Sequence, residues 1–288
     1  MDTGSGHEYL CSDQKVKTMK KYLAVLVLGW QDALVYRFNA LVWVLYAVLP
    51  SATFMLVWLA AYQSSGRKTI GDLTPAQMLT YYVFVTALSV VITSHPEYDI
   101  ATMIRDGKIT PFIVRPISFY GYRVAQETSY QIVKTAMLLP ALALLCWGFR
   151  DYIQVPSLGF ARSSWFFLSV ALAYALLTQI KFLLGISAFW IAEPGGFLEI
   201  WNILTGIFGG RLLPLALLPP WIVKLGDALP FSSLYAFPMQ LLLGAPAQVT
   251  ASAIATGFAR QVIWLLALSL LVRIAWRRGL LAYEAYGG

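Results

Sequence analysis

At 288 residues, 59% of them apolar and only 12% charged, the chain is far more hydrophobic than a soluble domain, which is about 45–50% apolar and about 25% charged. The formal charge of +7 sits in loops and at segment ends, where membrane orientation explains it, so nucleic acid is not an expected partner. The two cysteines, Cys11 and Cys146, lie far apart, which excludes a disulfide framework and a Cys-x-x-Cys metal or redox site.

Residues 1–18 are polar and are expected to form a disordered tail, with Met19 ahead of Lys20 and Lys21 as a plausible true start. A single transmembrane domain is then expected over 19–288. The apolar run 22–30 is too short to cross and is closed by Gln31 and Asp32. Leu23, Leu26, Val27, Trp30 and Leu34 share one helical face, so this stretch reads as a helix lying in the membrane interface. A signal peptide fits less well, because no small-x-small cleavage site follows.

Crossing about 30 Å of hydrocarbon takes about 20 mostly apolar residues. Runs of that length place six spans at about 38–62, 73–94, 121–149, 163–192, 196–218 and 255–276. The fold class is therefore all-α integral membrane. With the N-terminus inside, twelve of the 21 basic residues fall on the inner side and six on the outer, with Lys134, Lys181 and Arg260 within spans. Both termini are expected in the cytoplasm. Trp201 and Trp276 then fall near the inner interface, where amphipathic indoles are favoured.

Between the second and third spans, Pro96 to Tyr122 holds the mixed-charge run Ile104 to Pro116. It offers no nucleophile with a base, metal cluster or phosphate cradle, but presents basic and apolar side chains at roughly helical spacing. Two readings are open here, a docking loop for a partner and a solvated loop obeying the inside-positive rule. Between the fifth and sixth spans, Pro219, Pro220, Pro230, Pro238 and Pro246 interrupt apolar stretches too short to span. Helices that enter partway and leave on the same side satisfy both features, so a re-entrant helical hairpin on the outer face is expected.

Glu127, Gln131 and Lys134 share one face of the third span at i, i+4 and i+7, and Lys181 lies in the fourth at a depth comparable to Glu127. Ionisable groups at such depths are costly, so a Glu127–Lys181 contact and a polar face along a substrate route are expected; snorkelling and interhelical polar contacts are the competing reading. Arg211 and Arg260 either snorkel to headgroups or bind an anion. Glu193 and Glu199 flank a tight Pro-Gly-Gly turn, and His7 and His95 stand alone in sequence.

Three patterns, in this order relative to six spans, resemble the permease subunits of ABC exporters of the ABC-2 type, in their compact single-domain form. They are the run from Arg105 to Pro116, Gly209-Gly210 with Pro214-Leu215 and Leu218-Pro219, and Leu229-Pro230-Phe231 with Pro238 and Gly244. The resemblance covers about residues 20–286. It implies an interfacial N-terminal helix, a cytoplasmic coupling helix between spans two and three, and outer re-entrant helices before span six. By it, Arg105, Asp106, Gly107, Lys108, Phe112, Arg115 and Pro116 would couple to the ATPase, and Pro214, Pro230, Phe231 and Pro238 would form an outer gate. It further implies a dimer with a second copy or a sister permease in a bacterial cytoplasmic membrane, and two copies of a separate ATPase subunit. ATP and Mg would be used by that partner and no cofactor bound by this chain, which lacks a Gly-x-x-x-x-Gly-Lys-[Ser/Thr] phosphate loop. Drugs or other xenobiotics, lipids and polysaccharides all remain as substrates. An ATP-independent secondary transporter or channel is the alternative, although no internal repeat is evident.

Overall fold

The computed structural model describes residues 21, 23–32, 34–35, 37–114, 118–154, 156, 158–191, 195–245 and 248–283. The expected tail, Arg115, Pro116, Glu193, Pro194 and Pro246 lie outside them. The described residues form helices α1 (Leu23–Asp32), α2 (Arg37–Ser65), α3 (Pro75–Ile92), α4 (Pro96–Arg105), α5 (Thr110–Val114) and α6 (Phe119–Gly148). These are followed by α7 (Phe160–Ile186), α8 (Gly195–Phe208), α9 (Pro220–Ala228), α10 (Phe231–Leu234), α11 (Ala236–Leu243) and α12 (Ala251–Ala282).

Five segments among the described residues are helical, long and apolar enough to cross a membrane: Leu41–Ser65, Pro75–Arg105, Phe119–Gly148, Phe160–Phe189 and Ala251–Ala282. The fifth expected span, about 196–218, takes a different form. Its helix α8 has 14 residues, about 21 Å of rise against the roughly 30 Å needed. Gly210 ends it with φ +85°, a left-handed conformation that a side chain disfavours, and a short 3-10 turn at Leu215–Leu217 follows.

Local chemistry sets the other boundaries. Thr74 and Gln77 cap α3 reciprocally with Pro75 in its first turn. At its far end, Pro96 disfavours helix at His95 and starts α4, whose first turn carries Glu97 and Asp99 toward the positive helix end. The stretch read from sequence as a loop is thus largely helical. Ser118 caps α6 and Thr250 caps α12 through their hydroxyls.

The interior is built by α3 and α7, with α2 and α6 packed on α3 and α12 on α7. Met78, Leu79, Tyr82, Leu176 and Leu177 are buried at its centre. A second cluster at the α4 end gathers Phe119, Phe182 and Trp276, with Phe119 and Trp276 stacked at 5.3 Å. Trp276, near the end of α12, packs on Phe119 and Phe182. Helix α1, too short to cross, docks on α6, where Ser129 Oγ donates to the Leu26 carbonyl at 2.8 Å; Leu23, Val27 and Trp30 stay exposed.

Helices α9 to α11 form a hairpin that dips into the bundle and returns to the same end. Leu217, just before α9, lies against Gly71 in the α2–α3 connection. At the α10 turn, Gln261 Nε2 donates to the Ser233 carbonyl at 2.9 Å. Gln261 lies ten residues into α12, so the turn sits about 15 Å deep. The far end of α11 returns to the first turn of α7, where Arg162 donates to the carbonyls of Leu241 at 2.5 Å, Leu242 at 3.4 Å and Gly244.

Candidate substrate cavity and coupling turn

A cavity of about 730 Å³ opens between α2, α3 and α8, with α4, α6 and α7 closing one end. That volume lies within the range of sites for drug-sized ligands. Trp43, Tyr46 and Phe54 of α2, Tyr82 of α3, Trp201 of α8 and Tyr235 between α10 and α11 supply aromatic walls. Trp201 lines this cavity and tilts against Phe231 at 5.0 Å. His95, Tyr98, Lys134, Lys181, Glu199 and Asn202 gather at the α4 end, and Arg211 lines the wall beyond α8.

Of the expected path residues, Lys134 and Lys181 face the cavity, while Glu127 and Gln131 sit behind it. The expected Glu127–Lys181 contact is not formed. Lys181 Nζ instead reaches Glu97 Oε1 at 2.6 Å and Asn202 Oδ1 at 2.8 Å, joining α7 to α4 and α8. Glu127 accepts from Arg123 at 2.9 Å, one helical turn away on α6. The same guanidinium reaches Asp99 of α4 at 3.1 Å. Arg123, counted from sequence as an orientation charge, is therefore buried and holds two carboxylates. Gln131 donates to the carbonyls of Val90 and Val91, and Lys134 to that of Thr93. These bonds satisfy backbone groups where α3 ends, since Thr93 has left the helix.

Glu97 is fully buried, and sequence reasoning missed it because it falls in a stretch read as a loop. Only the punctuation around a helix-length segment, Pro96 at its start and Gly107 just past its end, signals that a helix carries it inward. His95, isolated in sequence, shares its Nδ1 with Glu97 at 3.2 Å and stacks on Trp43 at 4.7 Å. Tyr98 Oη donates to Glu199 at 2.5 Å, so Glu199 faces α4 across the cavity mouth.

Helix α4 thus begins at the cavity and ends at the turn 106–109, about 15 Å away. Its close seat on α7 depends on Gly185, where a Cβ would fall 2.8 Å from Ile100 Cβ and 3.1 Å from Glu97 Cα. In the turn, Arg105, Asp106 and Lys108 are exposed, and Lys108 pairs with Asp106 at 2.8 Å. That hydrogen-bonded ammonium holds the Asp106 carboxyl below its ordinary range, so the turn carries both signs at neutral pH. Gly107 and Lys108 lie between α4 and α5, where the Gly107 carbonyl accepts from Thr110 Oγ1 at 3.0 Å. Phe112 turns inward, with its ring 4.8 Å from Tyr122 and 5.1 Å from Phe119. The exposed apolar groups are Ile113 and Val114, which the sequence reading did not single out.

The expected gate residues occupy the hairpin. Pro214 precedes the 3-10 turn, Pro230 precedes α10, and buried Pro238 lies in the first turn of α11. Phe231 is buried between Trp201 and Phe208. Tyr81 Oη donates to the Gly210 carbonyl at 2.5 Å and Tyr82 Oη to that of Leu212 at 2.9 Å, tying this segment to α3. Tyr235 Oη and Thr93 Oγ1 are 2.9 Å apart, so the hairpin reaches the end of α3. Arg260, which sequence left to snorkel or bind an anion, pairs with Asp227 of α9 and lies 3.2 Å from Ser232 Oγ.

No curated protein and no solved structure matches the chain. A family model described as ABC-2 family transporter protein matches residues 48–287. That match takes in the α4–α5 turn, the hairpin and the cavity lining apart from Asn39, Val42, Trp43, Tyr46 and Ala47, and with the spanning helices it establishes that the chain is a multi-pass membrane protein belonging to the ABC-2 family of transporter permeases.

Proposed function

We propose that this chain is the permease subunit of an ATP-driven exporter in a bacterial cytoplasmic membrane, with both termini in the cytoplasm. Two permeases, identical or sisters, enclose the substrate route, and two copies of a separate ATPase bind below. ATP and Mg act in that partner. The observation that carries this reading is α4, which lines the cavity through Tyr98 and ends at an exposed turn of alternating charge.

Docking uses Arg105, Asp106, Lys108 and the exposed Ile113 and Val114, with Gly107 shaping the turn; Arg115 and Pro116, outside the described residues, are further docking residues implied by the family resemblance. Phe112 supports it from within by packing on Phe119 and Tyr122. When the ATPase moves the turn, α4 moves as a rod, because the Arg123 and Lys181 pairs and the Gly185 contact fix it to α6 and α7. The displacement reaches the cavity through Lys181 and Asn202. Glu127 and Gln131 hold the surrounding helix ends, and Pro214, Pro230, Phe231 and Pro238 shape the hairpin that gates exit on the outer side.

The test is affinity purification in mild detergent, with mass spectrometry of what co-purifies. Recovery of an ATPase is expected, and Arg105→Glu with Val114→Asp is expected to abolish it while membrane insertion persists. Recovery of the chain alone, active in liposomes without ATP, would establish the secondary-transporter reading instead.

A further inference from the structure

We infer that the cavity is built for an amphipathic organic anion, its charged group held by Arg211 and Lys134 and its apolar body by the aromatic walls. This rests on the permease reading and gives its cargo a sign. Three cations line the cavity, Lys134, Lys181 and Arg211, against one lining carboxylate, Glu199. Lys181 is already answered by Glu97, and Glu199 accepts from Tyr98. Among the described residues neither Arg211 nor Lys134 has a carboxylate within ion-pair distance.

Arg211 is the stronger argument, because a guanidinium cannot shed its charge to escape a low-dielectric site. Its Nε is buried without a hydrogen-bond partner. Lys134 is 6% exposed and donates to the Thr93 carbonyl, which offers a dipole but no countercharge. A buried ammonium with no countercharge and a half-buried guanidinium whose Nε is unpaired are completed by an anion that brings both charge and acceptors. Aromatic rings alone would favour a cation through their faces. Two uncompensated cations at short range reverse that preference, since charge–charge contact away from water outweighs the ring quadrupole.

A carboxylate, sulfonate or phosphate on a fused-ring or acyl body satisfies the same site, so a small organic anion and an anionic lipid share its chemistry. The test uses the full-length chain, with the subunits that co-purify, in nanodiscs of zwitterionic lipid. Three probes with one ring system are compared: pyrenesulfonate, pyrenemethanol and a pyrenylmethyl trimethylammonium, read by energy transfer from tryptophan. Pyrenesulfonate is expected to bind at least about tenfold tighter than the ammonium. Arg211→Gln and Lys134→Met are each expected to erode that ratio while leaving pyrenemethanol binding unchanged, and Arg211→Lys to restore part of it. Doping the discs with phosphatidylglycerol separates the sources: displacement of the sulfonate identifies lipid as occupant, and its absence a small anion. Equal or tighter binding of the ammonium, or binding of no probe, would overturn the inference. Either result leaves ATPase co-purification intact, whereas loss of the ATPase partner alone would overturn the permease reading and spare the anion preference.

Discussion

Glu97 and Lys181 are the most consequential pair in the molecule, because each is almost wholly withdrawn from solvent and each is on a different helix. Removing one partner strands the other's charge, whereas removing both leaves an apolar contact of similar size. Glu97→Leu or Lys181→Met alone is therefore expected to cost about 3–5 kcal/mol in detergent unfolding, and the double variant to recover most of that loss. Simple addition of the two losses would mean that the residues act independently. None of this was visible in sequence. The spacing of Glu127, Gln131 and Lys134 correctly placed three polar groups on one helix face, but helical spacing reports nothing about partners on other helices. Lys181 therefore looked matched to Glu127 by depth, while the carboxylate it binds lay 84 positions away in an apparent loop.

At the scale of elements, two contacts are open to test. Gly185→Ala would push a methyl group against Ile100 and the backbone of α4, and overpacking of that kind costs about 1–3 kcal/mol. Unfolding is expected to show that loss, and an unchanged stability would show that α4 does not need Gly185 for its seat. Arg162→Met removes the donors that close the end of α11, a loss of about 1.5–3 kcal/mol. Amide exchange should then rise in residues 236–244 before it rises in α7; uniform exchange across both would show that the guanidinium is not what holds the hairpin's end. The long helices were legible because a membrane demands unbroken apolar runs, and the hairpin because prolines interrupt its apolar stretches. Helix α8 was overestimated, since composition counts apolar residues through Gly209 and Gly210 while the backbone turns there.

For the whole molecule, the proposed docking and the proposed transmission are separable. Arg123 lies away from the exposed turn, yet it ties α4 to α6 through Asp99 and Glu127. Arg123→Met is expected to leave ATPase co-purification intact while lowering ATP-dependent export at least about tenfold, the loss that follows when motion no longer crosses from one helix to the next. Unchanged export, measured in proteoliposomes with the recovered complex, would place transmission elsewhere, in the Lys181 contacts.

The hairpin and the segment leading into it, Gly210 to Gly244, are gripped largely by carbonyl oxygens: Tyr81 holds Gly210, Tyr82 holds Leu212, Gln261 holds Ser233, and Arg162 holds Leu241, Leu242 and Gly244, while Asp227, Ser232 and Tyr235 add side-chain contacts. A grip on backbone is indifferent to which side chains the segment carries. The lining at Leu212 can thus be rewritten for a different cargo without loosening the anchors. Specificity and attachment are borne by different atoms, so a library confined to the hairpin's side chains is a natural route to new substrates on an unchanged scaffold.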